Sequence, residues 1–357
     1  MNEINAKKID YYQLREFISR EFGLYFEAEK FTFLENRVIP IFLSHNCTDL
    51  NHFIKFAQSD QNFKNELLDS LTTNETWFFR HPKHFEILKE VLLPSLIKET
   101  EKQQRREITI WSAGSSIGAE AYSIAIVVAE FFKEKPGYTV KIFGSDISPR
   151  AVEKAKKGTY TASEIRLIPQ RLLLSYFQPT SNGNYQVKHE LSKNVTFEVR
   201  NLLSLKWIEC SFDIIFCRNT MIYFREDTKR TLTERFFAAL RPGGIFMPGS
   251  TEVLHWGEGN HFIREFAMSE YYYRKCVRDC DSYQYLFATP HDLLKAINIL
   301  IEENIEFTIS PVNTSSITAA KRTLYISKDF GEATERIFEN AGIKTALRKR
   351  IECKTRG

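Results

Sequence analysis

The chain holds 357 residues, 43% of them hydrophobic and 26% charged, a balance that suits a soluble globular protein of two or three domains and excludes a low-complexity or fibrous one. Its net charge of +4 is divided as −3 over residues 1–71, +6 over 72–275 and +1 over 276–357; no segment is the dense basic stripe that holds a nucleic-acid backbone, so nucleic acid is not expected as a partner. The opening MNEINAKKIDYY lacks an apolar signal region, and the longest apolar stretch, Tyr122 to Phe132, contains Glu130 and is too short to span a bilayer, so a cytoplasmic protein without membrane insertion is expected.

Residues 1–71 place Tyr12, Leu14, Phe17 and Ile18, then Phe33, Leu34 and Val38, then Phe53, Ile54 and Phe56 at helical spacings, which predicts an all-helical bundle with breaks at Ser44–Asn51 and Gln58–Gln61. From Glu107 the rhythm changes. EITIWSAGSSIGAEAYSIAIVVAE reads as an apolar strand, a turn of small residues and an amphipathic helix. Small side chains at Ala113, Gly114, Ser115, Ser116 and Gly118 let backbone N–H groups and a helix N-terminus approach a polar cofactor; the alternative is that Gly114 and Gly118 only permit close helix–strand packing. VKIFGSDIS then puts Asp146 just past a second strand, where open α/β sheets bind the ribose hydroxyls of an adenosine-containing ligand. The glycine spacing departs from G-x-G-x-x-G, and the step from Gly114 to Asp146 exceeds the usual one of about 20 residues.

VTFEVRNL, DIIFCRN and GGIFMPGS supply further strands, and LRPGG a helix stop followed by a tight turn. Strand–helix alternation of this kind implies a doubly wound parallel sheet covered on both faces. The polar turn SNGN before YQVKHEL predicts an inserted β-hairpin subdomain at about 175–200, and YYYRK, Tyr271 to Lys275, the last strand of a domain spanning 72–275. Residues 280–357 carry their own pattern of strand, helix, two strands, helix and strand, which predicts a C-terminal α+β module of ferredoxin-like kind. The six cysteines form no C-x-x-C pair or framework, and free thiols are expected. Cys276 and Cys280 alone make a poor zinc site, His81 and His84 read as surface or capping residues, and no metal is expected.

At TTNETWFFRHPKHF, WSAGSSIGAEAYSIAI, GSDIS, RNLL and IIFCRNTMIYF the chain resembles the bacterial chemotaxis receptor methyltransferases of the CheR family, over roughly residues 10–275. The resemblance implies a class I methyltransferase sheet that uses S-adenosyl-L-methionine, leaves S-adenosyl-L-homocysteine, and methylates glutamate side chains of a chemoreceptor or another acidic-helix signalling protein. It implies cofactor contacts from Asn74, Thr76, Arg80, Glu120, Asp146, Asn201, Leu202, Arg218 and Asn219, with Arg80 and Tyr223 closest to the transferred methyl. A carboxylate at Glu120 suits a ligand ammonium, and one at Asp146 suits two ribose hydroxyls. Other readings are a methyltransferase for a different protein or a small acid, and a noncatalytic S-adenosylmethionine-responsive module.

The chain departs from the family pattern at several points. Ala119, Glu120 and Ala121 stand where two acidic residues and a proline are usual, Thr220 where an apolar residue is common, and Ser250 where histidine is commoner. Arg37 is kept in the helical segment, but Pro40 and Ile41 occupy positions that tend to be basic. The C-terminal module is weakly similar to ferredoxin-like sulfur or selenium carriers, yet Ile317 to Ala320 replace their Cys-Gly, so a role in docking an unknown partner or in regulation is expected instead.

Overall fold

The computed structural model describes residues 10–72, 76–203, 211–250, 252, 262–275, 282–287, 290–303, 307–309, 323–343 and 345–351. Asn74, the Cys276 and Cys280 pair and the Ile317–Ala320 stretch fall outside them. Two compact units emerge, residues 1–275 and 276–357.

The first unit opens with four helices, α1 (Tyr11–Phe22), α2 (Phe31–Ser44), α3 (Leu50–Ser59) and α4 (Gln61–Leu71). Aspartates start three of them: the Asp10, Asp49 and Asp60 carboxylates accept hydrogen bonds from first-turn amides, satisfying donors the helix cannot. Their apolar stripes, Leu14, Phe17, Leu34, Val38, Phe53 and Leu67 among them, belong to one buried cluster that continues through Trp111, Ile215 and Phe246 of the sheet. The helical segment therefore shares a core with the sheet inside the first compact unit.

A helical arm follows that the apolar pattern had not suggested: α5 (Pro82–Ile87) runs through a π-turn at Leu88–Leu92 into α6 (Leu93–Lys102). Next come β1 (Glu107–Ala113), α7 (Ala119–Phe132), β2 (Thr139–Asp146), α8 (Pro149–Lys157), β3 (Thr159–Tyr160), α9 (Gln170–Tyr176), β4 (Phe177–Pro179), β5 (Tyr185–Val187), α10 (His189–Ser192), β6 (Val195–Val199), β7 (Phe212–Cys217), α11 (Glu226–Ala239), β8 (Leu240–Pro248), β9 (Phe262–Ala267) and β10 (Glu270–Lys275). The main sheet has the order β6-β2-β1-β7-β8-β10-β9. Its first five strands are parallel, and β10 and β9 close it antiparallel. Side chains alternate across it as period 2 requires. Ile108, Ile110, Ile214 and Phe216 pack under α6 and α7, whereas Trp111, Ala113, Ile215 and Cys217 face α11 and the N-terminal helices.

The expected hairpin is present, β4 pairing with β5 across the SNGN turn, but β3 joins them in a small three-stranded sheet. The insertion thus spans about 159–187, and Val195–Val199, inside the 175–200 range expected for it, pairs instead with β2 in the main sheet. Strand β8 starts at Leu240, directly after α11, with Gly243 at φ 75° inside the LRPGG segment, so the helix stop leads straight into a strand with an irregular register against β7. Strand β9 was not anticipated, because FIREFA mixes charge and apolar residues as a solvent-facing edge does.

The second unit contains β11 (Ser282–Phe287), α12 (Pro290–Glu302), β12 (Phe307–Ile309), β13 (Thr323–Ser327), α13 (Lys328–Asn340) and β14 (Thr345–Ile351). Its antiparallel sheet runs β12-β13-β11-β14, around a small core of Tyr285, Phe287, Leu293, Leu300 and Phe338.

Candidate functional site

The carboxyl ends of β1, β2 and β7 converge on one side of the sheet, the crevice where α/β folds place ligands. The turn after β1 is held by its neighbour: the Gly114 and Ser115 amides both donate to the Ser145 carbonyl at 2.8 Å, and the Ser116 amide donates to Asp146 Oδ2 at 2.8 Å. Asp146 Oδ1 accepts from the Ser148 amide at 3.0 Å, and burial raises its carboxyl above the ordinary value against the pull of these amides.

The two glycines of the turn do different work. At Gly118, φ 85°, a Cβ would meet Ala155 Cβ at 2.8 Å and the Phe197 ring at 2.9 Å, so this glycine serves helix–strand packing. At Gly114, φ 79°, a Cβ would stand 2.1 Å from Thr220 Oγ1, a wall of the pocket itself.

That pocket is lined by Thr76, Trp77, Arg80, Phe85, Gly114, Ser115, Ser116, Glu120, Arg218, Asn219 and Thr220. Five of the residues expected there, Thr76, Arg80, Glu120, Arg218 and Asn219, are brought together. Asp146 reaches the lining through Ser116. Leu202 is buried in the core, Asn201 caps its own turn by accepting from the Leu203 amide at 2.8 Å, and Tyr223 packs against the cluster shared with the helices, so these three stand outside the lining. The Tyr223 carbonyl accepts from the Tyr25 amide at 2.8 Å, which joins the turn after β7 to the loop after α1.

Buried Arg218 and half-buried Glu120 form a pair that sequence order hides. Arg218 Nη1 donates to Glu120 Oε2 at 3.0 Å, Ser112 Oγ donates to Oε1 at 2.8 Å, and Arg218 Nη2 donates to the Arg80 carbonyl at 2.6 Å. The carboxylate expected to meet a ligand ammonium is thus already anchored on both oxygens, with further acceptor capacity where it lines the pocket. Arg80 sits on a stretched corner. Phe79 and His81 both take left-handed backbone conformations, at φ 55° and 59°, costly for such residues and maintained by surrounding contacts. Those contacts include Phe78 N to the Glu164 carbonyl and Phe79 N to Ser123 Oγ, each at 3.0 Å. The Arg80 guanidinium lies 5.0 Å from the centre of the Trp77 ring, and that of Arg166 lies 4.3 Å from it.

Sequence reasoning did not name Trp77, Phe85 or Thr220 as contact residues, although all three fall inside motifs already singled out, and Ser115 was read only as a small residue of the turn. It also misplaced His84. His81 is exposed, but His84 is fully buried, its Nε2 3.3 Å from both Glu270 Oε2 and Ser250 Oγ. Burial and the nearby Arg218 lower its pKa to about 4 despite Glu270, so at neutral pH it is an uncharged ring beneath the pocket. The HPKHF segment is too short for a helical stripe to reveal which of its two histidines turns inward.

The chemistry of the lining suits a ligand with a cationic amino-acid end and a ribose. Ser115 Oγ and Arg218 Nε are buried without a hydrogen-bond partner among the described residues, and two carboxylates, Glu120 and Asp146, stand at opposite ends of the Gly114 turn. Among the described residues no group of three or more His, Cys, Asp or Glu side chains is placed to hold a metal ion, and no helix is long and apolar enough to cross a membrane.

Comparison with known families agrees with this geometry. Residues 74–270 match the model of the CheR methyltransferase SAM-binding domain, and residues 9–72 that of the CheR methyltransferase all-alpha domain. The chain is 32% identical over 264 residues to a chemotaxis protein methyltransferase of Borreliella burgdorferi, an alignment covering 73% of this chain and 93% of that one. It is 33% identical over 262 residues to the chemotaxis protein methyltransferase of Escherichia coli, covering 72% and 86%. With chemotaxis protein methyltransferase 2 of Vibrio cholerae the identity is 29% over 279 residues, covering 77% and 96%. Both family models end before Cys276, where the second unit begins.

Proposed function

This chain belongs to the CheR methyltransferase family, a group of S-adenosylmethionine-dependent enzymes, and we propose that it methylates glutamate side chains of a chemoreceptor-like signalling protein. The observation that carries the reading is the meeting of Arg80, Glu120 and Arg218 in one pocket at the carboxyl end of the sheet. S-adenosylmethionine supplies an electrophilic methyl group on a sulfonium. The acceptor needs no base from the protein, because a glutamate with a pKa of about 4.3 is ionised at neutral pH. What remains for the chain is binding, orientation and exclusion of water.

Asp146 is assigned to the ribose hydroxyls and Glu120 to the ammonium. Asn74, Thr76, Asn201, Leu202 and Asn219 belong to the same proposed binding set. Arg80, fixed through its carbonyl and stacked on Trp77, is assigned to the acceptor carboxylate, which a planar guanidinium can hold in one orientation. Tyr223 is assigned to the approach of the attacking oxygen; the Tyr25 contact steadies its main chain. The second unit is assigned to choice or regulation of the target through a partner of its own, as a ferredoxin-like module.

A second acceptor, another protein or a small acid, is favoured by one feature. Residues 1–71 hold eight Lys and Arg against eleven Asp and Glu, a poor match for a strongly acidic helix. Labelled S-adenosylmethionine, the full chain and receptor-bearing membranes from the same organism separate the two. Base-labile methyl esters on the receptors are expected. Label confined to another protein or a small acid would refute the receptor assignment, and label stable to base would refute the carboxylate.

A further inference from the structure

We infer that Glu252 is the positioning residue that fixes one wall of the cofactor pocket, by binding the main chain of the Arg218–Tyr223 turn with its carboxylate. The inference rests on reading this pocket as the cofactor site. Glu252 is 8% exposed. Its Oε2 accepts from the Gly249 amide at 2.8 Å and the Asn219 amide at 3.1 Å, and its Oε1 accepts from the Ile222 amide at 3.2 Å. The Met221 amide also donates to it. Four main-chain donors around one buried carboxylate form an anion nest whose anion is the protein's own side chain.

Two further observations make this carboxylate a determinant of the turn. Asn219 is left-handed, φ 57°, a conformation that asparagine adopts more readily than other non-glycine residues, and the Glu252 carboxylate holds its amide in that turn. Gly249 is the residue that lets the carboxylate arrive: a Cβ there would stand 2.7 Å from Glu252 Oε2 and 3.2 Å from the Asn219 nitrogen. The turn so held presents Arg218, Asn219 and Thr220 to the pocket. Its far end, Tyr223, is joined to the loop after α1. Glu252 therefore acts on the pocket through Asn219 without touching the ligand.

The prediction separates this role from general support of the fold. Glu252→Gln keeps size and removes charge, but a carboxamide has one acceptor oxygen and turns its NH2 toward amides that also donate. In the full chain, amide hydrogen exchange at Asn219, Met221 and Ile222 should quicken by about 100-fold while β1 and β2 stay protected, and affinity for S-adenosylhomocysteine by calorimetry should fall at least about tenfold. Gly249→Ala leaves the carboxylate in place and blocks its approach, so it should reproduce both effects; it decides the matter should the Gln variant expose β1 and β2 as well. Wild-type exchange at the three amides, or S-adenosylhomocysteine affinity within twofold of wild type in a folded variant, overturns the inference. Failure of the wild-type chain to bind S-adenosylhomocysteine would instead overturn the reading of the pocket, and the exchange measurements would then still decide what Glu252 holds.

Discussion

His84 offers a test whose sign is set by which of its neighbours wins. The ring is fully buried, Glu270 lies 3.3 Å from Nε2, and Arg218 is close enough to oppose a positive charge. If Glu270 dominated, the folded protein would hold a charged imidazolium and gain stability on acidification. Burial and Arg218 dominate instead and bring the pKa from 6.5 to about 4. The unfolded chain takes up this proton as pH falls through about 6.5, whereas the folded chain resists until about 4. The contribution of His84 is therefore complete above pH 6.5 and is lost between 6.5 and 4. At about 1.4 kcal/mol per tenfold change in proton affinity, the loss is about 3 kcal/mol.

The assay is urea unfolding of wild type and His84→Gln at several pH values from 7.5 to 4.5, followed by tryptophan fluorescence. All four tryptophans precede residue 276, so the signal reports the first unit alone. The Gln variant carries every other titrating group, so the difference between the two proteins isolates His84. Wild type should lose about 2–3 kcal/mol relative to the variant as pH falls. A constant difference would refute the burial argument. A difference that grows in favour of wild type on acidification would show a His84–Glu270 ion pair.

Asp146→Ala removes an acceptor from a buried set, so affinity for S-adenosylhomocysteine should fall by about 2 kcal/mol, and calorimetry showing unchanged affinity would remove Asp146 from the site. Trp77→Ala takes the ring from beneath both Arg80 and Arg166, contacts worth about 1 kcal/mol each; turnover should fall several-fold, and full activity would mean that the stack does not orient Arg80. Truncation after Lys275 should preserve cofactor affinity and the thermal midpoint of the first unit while altering target methylation. Lost cofactor binding would show that the second unit supports the first.

Of the candidate site, the Gly114 turn and Asp146 at a strand end were legible in contiguous sequence, and Arg218 and Asn219 were reached through the family resemblance of the block that follows a third strand. Strand β7 is buried along its whole length and β1 along most of it, β2 alternates until its carboxyl end, and the turn after β1 is marked by small residues. What the sequence did not disclose depends on pairs distant along the chain. Glu120 meets Arg218 only because β1 and β7 are neighbours in the sheet, and Arg218 meets the Arg80 carbonyl only because the segment before α5 folds over both. Gly118 and Gly114 are alike in sequence and were open to one packing explanation. Their different roles rest on what a Cβ would strike, Ala155 and Phe197 in one case and Thr220 in the other. The helical segment is legible because its stripes are self-sufficient in pattern; that Phe17 and Trp111 also belong to one core is a matter of tertiary contact.

Arg80 shows how these distant pairs bear on the chemistry proposed for the site. A guanidinium free to swing would pair tightly with the acceptor carboxylate and draw electron density from the oxygen that must attack. Here the main chain on either side is locked in left-handed conformations, the carbonyl is tied to Arg218, and the side chain lies over Trp77. If the acceptor binds here as proposed, a cation so held would orient its carboxylate without following it toward the methyl group. On the proposed reading Glu120 has a second part to play. Paired with Arg218, it would keep a second positive charge from adding to that of Arg80, so that the acceptor carboxylate would meet one oriented cation in place of two.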